Sequence, residues 1–218
     1  GAAIRERRGM TRRVKWMLVL LAAFLVFDAT ALVLLTMARG PSSVATKWKT
    51  VTTGTATIGG PFTLTTADGK TVTDETYRGK WMLIYFGYTR CPDACPTALS
   101  NMGVALQKLG SEADRLQPLF ITVDPKRDTR EVMSAYLESF DPRIVGLVGT
   151  QAQTEAAAKA YRVYAEPQKD QGDNYLVYHS AYFYLMDPQG KFVDAIEGAA
   201  AGDELADKLR KLIGEHST

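Results

Sequence analysis

The sequence has only two cysteines and two histidines in 218 residues. So few sulfurs exclude a small scaffold stapled by several disulfides, and the scarcity of imidazole leaves little choice of a third ligand should the cysteines hold a metal. An excess of one charge is also missing. Lys plus Arg number 26 against 24 Asp plus Glu, a net +2 that is too balanced for a chain whose main task is neutralising phosphates, so no nucleic-acid partner is expected. Internal repeats and low-complexity tracts are absent. What is present, 46% hydrophobic and 23% charged residues, excludes a disordered protein and suits one ordinary globular domain with about forty residues to spare.

The near-zero net charge hides an asymmetry. Residues 1–39 carry seven basic and two acidic groups, and residues 40–218 carry 19 basic and 22 acidic ones. Trp16 to Ala38 read WMLVLLAAFLVFDATALVLLTMA, 23 residues that rise about 34 Å as a helix and match a bilayer core. We expect one transmembrane helix over 16–38. Arg5, Arg7, Arg8, Arg12, Arg13 and Lys15 precede it, and Arg39 alone follows, so residues 1–15 form a basic cytoplasmic segment. The rival is a signal peptide cleaved after Ala29-Thr30-Ala31, but the apolar run continues through Leu35. Met10 before Thr-Arg-Arg would be a natural start. Asp28, near the middle of the span, either contacts another membrane subunit or stays protonated against Thr30. A bacterial inner membrane is expected, with the domain periplasmic. The mitochondrial inner membrane is the alternative.

Residues 39–58 read as a linker, part of a Thr-, Ser- and Gly-rich stretch from Gly40 to Gly60, and residues 59–218 as the domain. FTLTTADGKTV predicts a hairpin around Asp68-Gly69, and KWMLIYFGY a strand buried on both faces that leads into a helix from about Pro96 to Leu109. LQPLFITVD is a second buried strand, followed by a helix over TREVMSAYLESF capped by Asp128 or Thr129. Arg143 to Val148 suit a short strand, and Thr150 with Gln153 form a capping box for a helix through Ala165. NYLVYHSAYFYLMD and KFVDAIEG flank a Pro-Gln-Gly turn as a hairpin, and a last helix covers Asp203 to Ile213. The alternation predicts an α/β fold with a mostly parallel sheet covered on both faces.

Cys91 and Cys95 stand four apart beyond a buried strand and at a helix mouth, where free N–H groups and the helix dipole favour thiolates. A structural staple is the plain alternative, but so short a loop restricts the unfolded chain by only about 2 kcal/mol. The spacing alone does not choose between metal and redox chemistry. His216 belongs to the C-terminal tail, so His179 is the candidate third ligand, with a core histidine as the competing reading. Two thiolates and one imidazole suit Cu(I), with Cu(II) and Zn(II) as alternatives, although zinc usually wants a fourth ligand. Asp124 ends a buried strand in FITVDPKRDT, where it could approach the thiols. The plain reading makes Asp124, Arg127 and Asp128 turn and capping residues.

FGYTRCPDACP, FITVDPKRDT and YHSAYFYLMDPQGKF, in this order, resemble the SCO/SenC family of copper-binding proteins. The resemblance runs from about Gly59 to the C-terminus. It implies a thioredoxin-like fold, with a central mixed sheet flanked by helices. It also implies that Cys91, Cys95 and His179 hold one copper ion, with Asp124 close by. The implied role is assembly of the binuclear copper centre of cytochrome c oxidase subunit II, by donating copper or by reducing that centre's cysteines. Oxidase subunits and the membrane are the partners it implies. One departure stands out: the family commonly has Asp just before the metal histidine, where this chain has Tyr178. A carboxylate there would orient the imidazole, a task left to another group such as the Tyr178 phenol.

Other classes are weighed against this. A thiol-disulfide oxidoreductase would shuttle Cys91 and Cys95 between dithiol and disulfide without metal. A peroxiredoxin pattern would need Pro at 84 and Thr at 88, where Ile84 and Tyr88 stand. A purely structural assembly subunit would dock through Asp28 and tolerate loss of both cysteines.

Overall fold

The computed structural model describes residues 57–168 and 172–216, together with Trp16. The expected membrane span, Asp28 within it, and the basic segment before it lie otherwise outside the described residues, as does nearly all of the linker. Among the described residues no helix is long and apolar enough to cross a membrane.

The first hairpin forms as its sequence demands. Strands β1 (Thr63–Thr66) and β2 (Thr71–Thr73) pair antiparallel with Thr63 opposite Thr73, and Gly69 supplies the positive φ of 90° that the turn requires. Strand β3 (Trp81–Gly87) is buried along its whole length, because its alternate side chains enter two different cores. Trp81, Leu83 and Tyr85 face one side, packed with Leu99, Met102, Leu106 and Leu209. Met82, Ile84 and Phe86 face the other, with Leu64, Ala157 and Tyr161.

The chain continues through α1 (Ala94–Leu109), β4 (Leu116–Thr122), α2 (Arg130–Leu137), β5 (Val145–Val148) and α3 (Gln151–Ala160). Strands β6 (Ala165–Pro167) and β7 (Val177–His179) follow, then β8 (Tyr182–Met186), β9 (Phe192–Glu197) and α4 (Gly202–Glu215). The main sheet has the order β2-β1-β5-β4-β3-β8-β9, and β6 and β7 form a separate ribbon. Helices α1, α2 and α4 contribute to the first core and α3 to the second. This is the mixed α/β, thioredoxin-like arrangement that the resemblance implies.

Several expectations are corrected. The sheet is not mostly parallel: only β3-β4 and β4-β5 pair in parallel, and the other neighbours are antiparallel. Helix α1 starts at Ala94 rather than Pro96, because a proline is tolerated in the first turn where its missing N–H has no partner to lose. Helix α3 stops at Ala160 rather than Ala165. Its end is closed by Arg162 at φ 57° and by the Val163 N–H bonded to the Ala158 carbonyl at 2.8 Å, which turns the chain into β6. The segment expected as one long hairpin arm divides at Ser180 and Ala181. Its first half pairs with β6, with His179 opposite Ala165, and its second half joins the main sheet.

Parallel pairing of β3 and β4 runs from Trp81 opposite Leu116 to Gly87 opposite Thr122. Their C-terminal ends therefore emerge side by side, and the Val123 N–H reaches the Gly87 carbonyl at 2.8 Å. Whatever follows Gly87 must sit next to whatever follows Thr122.

Candidate metal centre

Beyond β3 the chain makes one tight turn, in which the Cys91 N–H donates to the Tyr88 carbonyl at 3.2 Å. The Cys95 N–H then donates to Cys91 Sγ at 3.4 Å, so the sulfur serves the open end of α1 in place of the Asp93 side chain, which does not cap it. Cys91 is half-buried, Cys95 is fully buried, and both are free thiols. Gly87 makes room for this: a Cβ there would lie 2.7 Å from Cys95 Sγ and 2.7 Å from the Phe120 ring.

The two thiols divide one proton unequally. Acceptance of a hydrogen bond from Cys95 holds the Cys91 thiol down to about 3, with help from His179 and backbone N–H groups and against the opposing effect of burial. The same hydrogen bond, together with burial, pushes Cys95 well above the usual thiol range. The pair therefore favours negative charge at the more exposed Cys91, with Cys95 as its donor.

His179 arrives from the ribbon. Its ring stands edge-on to Tyr85 and Tyr88, with centroids 6.1 and 5.9 Å away. Its Nδ1 lies 3.1 Å from the Ser180 carbonyl, which can only accept, so Nδ1 is the donor there and Nε2 is the nitrogen turned toward the sulfurs. Nε2 lies 3.4 Å from Cys95 Sγ, and the three ligand atoms of Cys91, Cys95 and His179 lie within 4.8 Å of one another. Among the described residues theirs is the one group of Cys, His, Asp and Glu side chains close enough to hold a metal ion. Two sulfurs and an imidazole nitrogen form a donor set that fits a soft cation such as Cu(I).

Asp124 does not touch the sulfurs. It is buried, pairs with Arg127, and accepts a hydrogen bond from the Tyr175 hydroxyl at 2.7 Å. The carboxylate whose charge reaches Cys95 is that of Asp128, pushing the thiol further up. Asp128 is no helix cap either. Thr129 caps α2, and Asp128 is buried, accepting from the Thr89 N–H at 3.0 Å, the Thr89 hydroxyl at 2.6 Å and the Thr122 hydroxyl at 2.7 Å. Burial raises its carboxyl against the lowering effect of those three bonds. Tyr178 also departs from expectation: it lies on the opposite strand face from His179 and is 62% exposed, so the group supporting the imidazole is the Ser180 carbonyl. His216 donates from Nδ1 to the Leu212 carbonyl at 2.8 Å and packs edge-on against Trp81, away from this group.

Thr89, Tyr175 and Gly87 carry roles that the sequence reading does not assign, and Arg127 does more than the turn role it is given there. The signals that could mark them are a glycine ending an otherwise apolar strand just before Cys91, and two acids and an arginine in a turn directly after a buried strand.

The SCO1/SenC family model matches residues 50–214. The human protein named "Protein SCO1 homolog, mitochondrial" is 45% identical over 144 residues, 65% of this chain and 48% of its own length. The chain spans about half the length of several curated relatives it matches. Among solved structures, Bradyrhizobium japonicum ScoI with copper bound is 44% identical with a TM-score of 0.67, covering 71% of this chain and 99% of that one. Yeast Sco1 with copper bound is 43% identical with a TM-score of 0.68, covering 73% of this chain and 90% of that one.

Proposed function

Because the chain belongs to the SCO1/SenC family, we propose that it binds one copper ion through Cys91, Cys95 and His179 and passes it on during assembly of cytochrome c oxidase. The convergence of the three ligand atoms within 4.8 Å carries this reading. The receiving site is the binuclear copper centre of oxidase subunit II. Residues 16–38 tether the domain to the membrane. Two settings fit: the bacterial inner membrane expected from the sequence, and the mitochondrial inner membrane, to which the names of curated relatives point.

The chain's own groups prepare for capture and release of this cargo. Cys91, half-buried and already a thiolate, meets the incoming ion first. Cys95 loses its proton as it ligates, and the Nδ1–H bond to Ser180 keeps Nε2 aimed at the sulfurs. An acceptor then replaces the ligands one at a time, starting at the exposed side. Reduced full chain titrated with Cu(I) should take up one equivalent, Cys91→Ala and Cys95→Ala should each lose stable one-to-one binding, and His179→Ala should keep only weaker binding through the two sulfurs. Unchanged binding by all three variants would remove the proposal.

The unequal thiol pair favours a second activity at the same place, reduction of the acceptor's cysteines. The Cys91 thiolate attacks a partner disulfide and releases one partner thiolate. Cys95 gives its proton to that thiolate and attacks the mixed disulfide at the Cys91 sulfur, so Cys91–Cys95 becomes a disulfide and the second partner sulfur leaves as a thiolate that solvent protonates. That disulfide must exclude copper, since both sulfurs are consumed.

A further inference from the structure

We propose that the turn Asp124–Asp128 is a positioning device that sets the separation of sulfurs and imidazole, Asp128 holding the cysteine arm and Arg127 the histidine arm. The inference rests on the copper-site reading above and concerns residues that touch none of the three ligand atoms.

The turn itself is closed by the N–H groups of Arg127 and Asp128, which both donate to the Asp124 carbonyl, at 3.1 and 3.0 Å. Asp124 is further fixed to β4 by its N–H bond to the Thr122 hydroxyl at 2.9 Å. Two neighbouring side chains leave this frame in opposite service. Asp128, 1% exposed, takes both the N–H and the hydroxyl of Thr89. Thr89 stands two residues before Cys91, in the turn that the Cys91 N–H closes onto Tyr88.

Arg127 makes its polar contacts the other way, with its guanidinium carbon also 5.8 Å from the centre of the Tyr88 ring. It pairs with Asp124, donates from Nη1 to the carbonyls of Tyr175 at 2.8 Å and Asp173 at 3.1 Å, and lies with its guanidinium carbon 3.5 Å from the centre of the Tyr175 ring. The Tyr175 hydroxyl returns to Asp124. Tyr175 stands four residues before His179, on the segment that enters β7. The Arg127 side chain is 7% exposed, far more buried than an arginine serving only as a turn residue needs to be. Its Nη2 is buried with no hydrogen-bond partner among the described residues, and the planar group is held by Asp124, two carbonyls and ring faces at once, a geometry lysine cannot reproduce.

The ribbon needs such a hold. It pairs only within itself, Pro167 opposite Val177 and the Gln168 N–H on the Leu176 carbonyl at 2.7 Å, and among the described residues no ladder ties it to the seven-stranded sheet that carries the cysteine arm. Its direct hydrogen bond to the cysteine arm runs from the Val177 N–H to the Tyr88 hydroxyl at 3.2 Å. With Asp128 and Arg127 adjacent on one rigid turn, any shift of the turn moves both arms together, and loss of either grip lets the arms separate.

The test is competitive Cu(I) titration of the reduced full chain, in wild-type and His179→Ala backgrounds, with thermal unfolding of the metal-free proteins alongside. Arg127→Lys and Tyr175→Leu should each weaken Cu(I) binding about 10- to 100-fold in the wild type. Neither should weaken the residual binding of His179→Ala, because the imidazole they place is gone. Thr89→Val, which trims the cysteine arm, should weaken binding in both backgrounds. Tyr175→Leu keeps the test decisive if Arg127→Lys fails to fold. Equal losses from Arg127→Lys or Tyr175→Leu in both backgrounds, or no loss in the wild type, would overturn the inference. So would a Thr89→Val loss that vanishes with His179. Equal affinity of wild type and His179→Ala would instead overturn the copper-site reading beneath it.

Discussion

The Nε2 of His179 lies 3.4 Å from the Cys95 sulfur, although 84 residues of chain separate the two. Neither residue is placed by local sequence alone. Cys95 is put there by the entry of α1 from β3, and His179 by a ribbon that leans on Tyr88 and on the turn after β4.

Gly87→Ala should damage the site from beneath. The added Cβ meets the Cys95 sulfur and the Phe120 ring at 2.7 Å, and neither lies at the free end of a flexible side chain. Overpacking of this kind costs about 1–3 kcal/mol, so the urea midpoint should fall and Cu(I) binding should weaken. Wild-type values for both would show that the sulfur has room to move.

Metal-free protein should react unevenly with a thiol alkylating agent. Cys91 is held to about 3, so it stays a thiolate as the pH falls from 8 to 5, whereas an ordinary thiol loses nearly all of its reactive form over that range. Cys95 is raised and has no exposed surface. Peptide mapping after brief iodoacetamide treatment at pH 5 should find Cys91 modified and Cys95 spared. Equal labelling would contradict the division of the proton.

Asp128→Asn should change the pH dependence of stability. Burial raises the carboxyl pKa in the folded protein, so the group's contribution is fully present below its unfolded value and is lost as the pH rises through the folded one. The uncharged variant has no such loss. Its stability relative to the wild type should therefore improve from pH 4 to pH 7.5, read as the difference in urea midpoints. A relative stability that worsens with rising pH would reverse the sign and contradict the cause.

Arg162→Gly should stabilise the protein. Arg162 sits at φ 57°, a conformation that costs a non-glycine residue about 1 kcal/mol and that glycine adopts freely. Chemical denaturation should show a gain of up to about 1 kcal/mol, and a loss would mean that the Arg162 side chain does more than end α3.

Much of this was legible in the chain. The all-apolar run Trp81–Gly87 announced a strand between two cores, and the Thr150 and Gln153 capping box forms as its spacing required. The two cysteines and His179 stood out because so few residues of either type exist, and the structure brings their ligand atoms together. What stayed hidden depended on long-range partners. A seven-residue apolar run does not say whether its neighbour is parallel or antiparallel, so the mixed pairing of the sheet was missed. Strand alternation through His179 was broken by the change of partner at Ser180, which no local periodicity signals. Asp124, Arg127 and Asp128 carry ordinary turn composition, and their burial becomes visible only when Thr89 and Tyr175 are seen against them. Tyr178 invited a role from its place beside His179, but neighbours on a strand face opposite ways.

The most direct measurement is X-ray absorption spectroscopy of the reduced full chain loaded with one equivalent of Cu(I), beside the His179→Ala variant. Two sulfur scatterers and one imidazole nitrogen in the wild type, with the nitrogen lost from the variant, are the expected result. A copper shell without nitrogen, or one that is identical in the two proteins, would contradict the assignment of His179 as the third ligand.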